Sequence, residues 1–453
     1  MARIQLITVI DEGPGLQRDR WYAPLGLVWV GNYLRARGHE VEILDGQIMP
    51  EAEIIRRLNA PLVGVSYFIN STEIADRIAQ CAARNGSTVV YGGQAATPVA
   101  KEILARNPDV SFVVMYDGER AMDLLASRAD GVRVDLAGVP NLAYREGDAI
   151  LVNAAEELDL STLPFPDRQV PGLDMEAHIR SFRTRGSEER FPCTRPTNAY
   201  SRKGCPRRGP SHGCSFCARI DLSVRSKTAA QAYDEYRYLV EEFGVDYICD
   251  DSDTWIRRSW MEDLLDLVDR RGEIGAKFRV YGDVRDITPG TAPLLRAIGV
   301  DAVLVGMESG DESILWQNGK PMRQDAMLKA AGLLGENGIK ICDAYVLGLI
   351  GESQASLDRT RDFARRVHEL CEPQITYWNM ILPLPGSPIW GRMMLRPDLA
   401  AKYRGEYRFN IEELRRDFIA TFCNLGPDGY KELLDIRHEY LDDALVAAGE
   451  YLR

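Results

Sequence analysis

The sequence predicts an α/β protein in three parts: an N-terminal doubly wound domain, a partial (β/α)6 barrel and a C-terminal helical tail. Three observations lead there. Short β-branched runs alternate with helical stretches in two separate series, a proline-rich stretch divides the series, and the chain from 395 onward repeats at helical spacing.

In the first series the strand-like runs are RIQLIT (3–8), VEIL (41–44), LVGVSY (62–67), TVVY (88–91) and SFVVM (111–115). Helical stretches lie between them, such as 26–37, which Gly38 stops, and 72–85. Strands alternating with helices form a parallel sheet covered on both faces, with ligand loops at its carboxyl edge. Residues 1–150 are read as this domain. Residues 151–196 contain LDLSTLPFPDRQVPGLD, with three prolines and no sustained period, and read as a linker.

The second series starts with a strand near 198–201 and continues through DYIC (246–249), KFRVY (277–281), DAVLVGM (301–307), KICDAYVLGL (340–349) and ITYWNMIL (375–382). Six β/α units make a partial barrel over 197–394, its mouth at the carboxyl ends of the strands. At those ends stand CDDSDTW, GDVRD, GMESGDES, LGLIGES and LPLPGSPIW. Alternation places Asp343 with Tyr345, and Tyr377 with Asn379, on shared strand faces, and both pairs are expected to point inward. Residues 395–453 carry many i,i+4 charge pairs and read as a helical cap.

A hydrophobic fraction of 45% with 27% charged residues is that of an ordinary soluble protein. No apolar run reaches the length of a membrane span, and the N-terminal run meets an acid too early for a secretory signal. The formal charge of −12, without a Lys/Arg block, argues against nucleic acid and weakly favours a small cationic substrate. Nine scattered cysteines suggest a reducing, cytoplasmic setting.

Only Cys205, Cys214 and Cys217 are clustered, in GCPRRGPSHGCSFC (204–217). With His212 they would complete a Cys3His zinc site. As three thiolates they would hold a four-iron cluster with one iron left open. Local spacing leaves both readings standing.

The wider pattern decides between them. APLGLVWVGNYLRARGHEVEILDG, VGVSYF, VVYGGQAAT and YDGERAMDLL resemble the cobalamin-binding-type domain that precedes the core of many radical S-adenosylmethionine (SAM) enzymes. SRKGCP, the cysteines and the five mouth segments resemble the radical SAM core in order, which zinc modules do not bring. The family's usual C-x3-C-x2-C is here lengthened to eight residues between Cys205 and Cys214, and His212 falls within the added loop.

The resemblance implies a [4Fe-4S] cluster on Cys205, Cys214 and Cys217, covered by the aromatic Phe216, and SAM as co-substrate. It also implies Asp250 and Asp251 at the methionine end of SAM, Glu308 and Ser309 near methionine and ribose, and Gly348 and Gly351 close to adenine. Asp250, Asp251 and Asp253 are alternatively caps of the helix that follows. Asp253 stands where relatives carry an aromatic, and with Asp343 and Tyr345 it is expected to serve the substrate chemistry. The family's cobalt-ligating histidine after the first strand has no counterpart in DEGPGLQRDRWYAPLG, so cobalamin is expected to be absent. Within the family the chain most resembles dehydratases of aminoglycoside pathways. That implies an electron donor of flavodoxin or ferredoxin type and an NADPH-dependent partner reductase. Cobalamin-dependent C-methylation is the alternative, and a non-catalytic zinc or cobalamin sensor a further one.

Overall fold

Strand β1 (Arg3–Thr8) lies between β2 (Glu40–Asp45) and β3 (Leu62–Ser66), and β4 (Thr88–Gly92) and β5 (Phe112–Val114) extend the same parallel sheet. The computed structural model describes residues 1–9, 22–183, 192–207, 213–218 and 220–439. β1 and β3 are buried almost throughout, as both-face coverage of a parallel sheet requires. The sequence of β5 leads into an antiparallel pair, β6 (Leu142–Glu146) and β7 (Ala149–Val152), that alternation in the first series does not announce.

By contacts, the described residues form two units: Met1–His178 with Ala401–Phe409, and Ile179–Ala400 with the described residues from Asn410 onward. Much of the stretch read as linker therefore packs with the first sheet. Asn32 donates to the Asp167 carbonyl at 2.8 Å, and the fully buried His178 ring meets the Asp45 carboxylate at 2.8 Å.

Part of the tail also belongs to the first unit. The Tyr67 hydroxyl donates to the Tyr407 carbonyl at 2.7 Å. One carboxylate, Asp76, accepts from Tyr91 (3.0 Å), Asn107 (2.7 Å), the Tyr407 hydroxyl (3.0 Å) and Arg408 (2.8 Å). Burial, with Asp76 adding to it, pushes the Tyr407 phenol up to about 12, so it stays a donor.

The second unit is built on β8 (Pro196–Ala199), β11 (Tyr247–Asp250), β12 (Lys277–Gly282), β13 (Val300–Glu308), β14 (Lys340–Leu347) and β15 (Pro373–Met380), all parallel and in sequence order. Between β8 and β11 a small ribbon pairs β9 (Arg202–Lys203) with β10 (Arg225–Ser226). Helices between the main strands cover the outer face. Ala229–Phe243 starts on a capping box of Thr228 and Gln231 and stops at left-handed Gly244. The concave face is identified by contacts between strands that are not neighbours: Gln374 of β15 donates to the Tyr247 hydroxyl of β11 at 3.1 Å. The architecture is thus a doubly wound domain, a partial barrel and a helical C-terminal region. Among the described residues no helix is long and apolar enough to cross a membrane.

Asp76→Ala should strand four donors and cost the first unit about 2–3 kcal/mol, read as a lowered denaturant midpoint. An unchanged midpoint would refute the hub role of this carboxylate.

Candidate active site

The three clustered cysteines are carried on one loop, and the carboxyl ends of the barrel strands hold that loop at several points. The β9–β10 ribbon closes its base. Just before Cys205, Gly204 takes a left-handed conformation (φ 86°), and a Cβ there would run into the Ser223 carbonyl. Its N–H donates to Asp253 at 2.7 Å, and the other Asp253 oxygen accepts the Tyr200 hydroxyl at 3.1 Å. Upstream, the Ser201 and Arg202 amides donate to Ser252 Oγ at 3.0 and 2.8 Å. Beyond Cys205, Arg207 pairs with Asp283 at the end of β12. Burial opposes the Asp283 charge, but hydrogen bonds from Arg207 and Arg285 outweigh it and hold the carboxyl well below the usual range.

The Cys214–Cys217 arm is tied down separately. Between its thiols, the Ser215 amide donates to the Asn318 carbonyl at 2.8 Å, and the Ile389 amide donates to the Ser215 carbonyl at 2.9 Å. The buried Asn318 side chain also donates to the Ile314 and Ile350 carbonyls at 2.8 and 3.0 Å. Sequence reasoning did not single out Asn318, because the partners that make it an anchor, Ser215 and Ile350, lie 103 and 32 residues away along the chain.

Burial pushes the Cys214 thiol up to about 11, against the pull of Lys320. Lys320 is only 8% exposed and donates to the Gly306 carbonyl (2.7 Å) and to Glu308 (2.6 Å). Burial disfavours its charge, but Glu308 and Cys214 more than restore it. Glu308 itself is held at φ 62°, a strain worth about 1–3 kcal/mol for a non-glycine residue.

Other expected residues fall elsewhere than the sequence suggested. Asp250 is fully buried and accepts the Tyr236 hydroxyl (2.6 Å) and the amides of Ser252 (3.1 Å) and Ser201 (3.3 Å). Asp251 follows it and is half-buried. Both oxygens of Asp253 are spent on the loop. Asp343 and Tyr345 share a face, but it is the outer one. Asp343 meets His368 of the helix Gln354–Leu370 at 3.0 Å and accepts Thr376 at 2.8 Å, while Tyr345 stacks on Trp378 with ring centres 4.7 Å apart. They pack the sheet against that helix and do not line the lumen. Tyr377 does face inward, where Arg279 donates to its hydroxyl at 3.4 Å.

Ser309 is buried and bonded to Thr360 at 3.1 Å, so it too is closed off. At Gly348 and Gly351 the close approach is by the protein itself: a Cβ would meet Ile381 and Ile419 at the first and the Gln317 amide at the second. Glu352, buried beneath them, is pushed up to about 8 by desolvation, opposed by hydrogen bonds from the Gly348 and Leu349 amides. Phe216 is half-buried beside Cys217. His212 lies outside the described residues.

Among the described residues no three His, Cys, Asp or Glu side chains close on one metal position. The donor set nevertheless fits a cluster: three thiols on one loop, partly buried, with Arg207 and Lys320 beside them to balance thiolate charge. The first unit fits a histidine-ligated cobalamin poorly. His39 stands at the amino edge of the sheet, bonded to Asp123 (3.0 Å) and the Ala2 amide (3.3 Å), and His178 is sealed against Asp45. The loop after β1 lies mostly outside the described residues.

Residues 203–364 match the Radical SAM superfamily model and residues 20–126 match the B12 binding domain model. In this order the matches give a B12-binding-type domain followed by a radical SAM domain. The B12 match goes against the expectation that cobalamin is absent. Among individual proteins, the chain is 24% identical over 389 residues to the anaerobic magnesium-protoporphyrin IX monomethyl ester cyclase of Rubrivivax gelatinosus, covering 82% of this chain and 66% of that one. It is 24% identical over 379 residues to the hopanoid C-3 methylase of Methylococcus capsulatus, covering 81% and 68%. In fold it matches the radical SAM methyltransferase TsrM of Kitasatospora setae, with a TM-score of 0.71 at 18% identity over 87% of this chain and 76% of that one.

Asn318→Ala should cost about 1–3 kcal/mol and lower iron incorporation, checked by denaturation and iron assay. Tyr345→Phe, on the outer face, should leave the rate of SAM cleavage at the wild-type value. A selective loss of cleavage would return Tyr345 to the reaction.

Proposed function

We propose that this chain uses a [4Fe-4S] cluster on Cys205, Cys214 and Cys217 to cleave SAM, and that the resulting radical drives loss of water from an aminoglycoside-type diol. The observation carrying the reading is the cysteine loop tethered to successive strand ends by Asp253, Asp283 and Asn318. When bound, the cluster supplies one electron to the sulfonium of SAM, releasing methionine and a 5′-deoxyadenosyl radical. The protein's own part is to hold that geometry and to bind and orient the sugar.

The resemblance to the apramycin-pathway dehydratase acting on paromamine at C3′ supports the substrate class, as does the polar concave face. Hydrogen abstraction from the carbon bearing one hydroxyl gives 5′-deoxyadenosine and a sugar radical. Loss of the neighbouring hydroxyl as water gives a ketone-stabilised radical, with the proton for the leaving group returned from the first hydroxyl. A second electron and a proton complete the ketone. The electrons come from a flavodoxin- or ferredoxin-type donor, and an NADPH-dependent reductase takes up the product. In this reading Tyr377 on the concave face, which accepts a hydrogen bond from Arg279, passes a proton beside the substrate.

A second reading is favoured by the B12 binding domain match and the likeness to a methylase: cobalamin-dependent C-methylation. One experiment separates the two. Reconstituted protein, SAM, reductant and paromamine are incubated with and without cobalamin, and the nucleosides are counted by mass spectrometry. Formation of 5′-deoxyadenosine alone, matched by water loss from the sugar, is the expected result. Cobalamin-dependent S-adenosylhomocysteine would overturn dehydration in favour of methyl transfer.

A further inference from the structure

Eight residues separate Cys205 from Cys214, so the connecting chain is too long to fix the distance between these two thiols by itself. The Cys214–Cys217 arm has its own anchor in Asn318. Cys205 is anchored on both sides by carboxylates from two different strand ends. On the amino side the Gly204 amide donates to Asp253 at 2.7 Å, and Tyr200 steadies that carboxylate at 3.1 Å. On the carboxyl side both guanidinium prongs of Arg207 reach Asp283, one of them at 2.9 Å. The Arg207 and Asp283 side chains are only 10% and 7% exposed, so water competes little for the pair.

We propose that Asp253 and Asp283 are positioning residues that set Cys205 at the site independently of the long loop, and so keep the third thiolate on the cluster. This rests on the reading of the three cysteines as cluster ligands. Neither carboxylate touches iron or SAM in this account; each acts through the backbone or side chain next to Cys205. Loss of a residue that orients a metal ligand typically weakens the metal site about 10–100-fold.

The test uses the full chain, reconstituted with iron and sulfide without oxygen. Iron and sulfide per chain, the rate of iron release to a chelator, and the electron paramagnetic resonance of the reduced protein with and without SAM are recorded. Asp253→Ala and Asp283→Ala should release iron about 10–100-fold faster than wild type and alter the SAM-dependent change in the spectrum. Arg207→Ala, which also removes a charge beside the thiols, should release iron at least as fast as Asp283→Ala, the double variant should release it no faster than Arg207→Ala, and Asp283→Glu should restore slow release. Tyr200→Phe, which removes one bond to Asp253, should fall between, and it serves where Asp253→Ala fails to fold. Wild-type release rates in the variants, or additive effects of Arg207→Ala and Asp283→Ala, would overturn the inference alone. A wild-type protein that takes up no iron and sulfide would overturn the cluster reading and this inference with it.

Discussion

The Asp250 carboxylate is buried completely, where an unpaired charge would cost several kcal/mol. It is tolerable because Tyr236, Ser252 and Ser201 all donate to it. Those three donors come from the helix Ala229–Phe243, the loop after β11 and the segment leading to Cys205. One acid thereby sets the starting direction of the cysteine loop against the sheet. Trp255 adds to the same group by donating to the Tyr236 hydroxyl at 3.3 Å, so the peg is continuous with the aromatic core of the barrel. Ser252 and Asp253 then extend the hold along the loop, one residue after another. Within the short motif CDDSDTW, Asp250, Ser252 and Asp253 thus hold the protein's own backbone and hydroxyls.

This bears on what the sequence could and could not disclose. The strand order was legible because β-branched runs and intervening helical stretches are local signals. The cysteine loop was legible because three of the nine cysteines crowd into fourteen residues. Alternation told which residues share a face of β14, but not which face. Asp343 and Tyr345 could have been inward or outward until His368, 25 residues away on a helix, was seen to cover Asp343. The acids after β11 pose the same difficulty. Their partners at Ser201 and Gly204 lie 49 residues upstream, and no short-range pattern joins them. Buried polar groups on the outside of a sheet resemble a functional site in sequence for a simple reason. Both need polar residues where a strand would otherwise be apolar.

The first unit shows a related limit. Its parallel strands follow from their composition, whereas the seat of Ala401–Phe409 does not. Tyr67, Tyr91, Asn107 and Asp76 come from four places in the first sheet's sequence, and Tyr407 arrives three hundred or more residues later. In the tail, helical spacing describes the neighbours of that segment well, such as the helix Ile411–Phe422, but it does not mark the segment that leaves the pattern.

Net charge is the least local of the sequence properties, and the site shows why it misleads. A chain carrying −12 places Arg207 and Lys320 next to its clustered thiols. The surrounding acids are largely spent: Asp250 on hydroxyl and amide donors, Asp253 on Gly204 and Tyr200, and Asp283 on two arginines. An aspartate-rich mouth therefore does not amount to a negative mouth. Thiolates in a half-buried pocket need compensating cations, because burial alone drives their protons back on. The acids in turn fix those cations and the loop that bears the sulfurs.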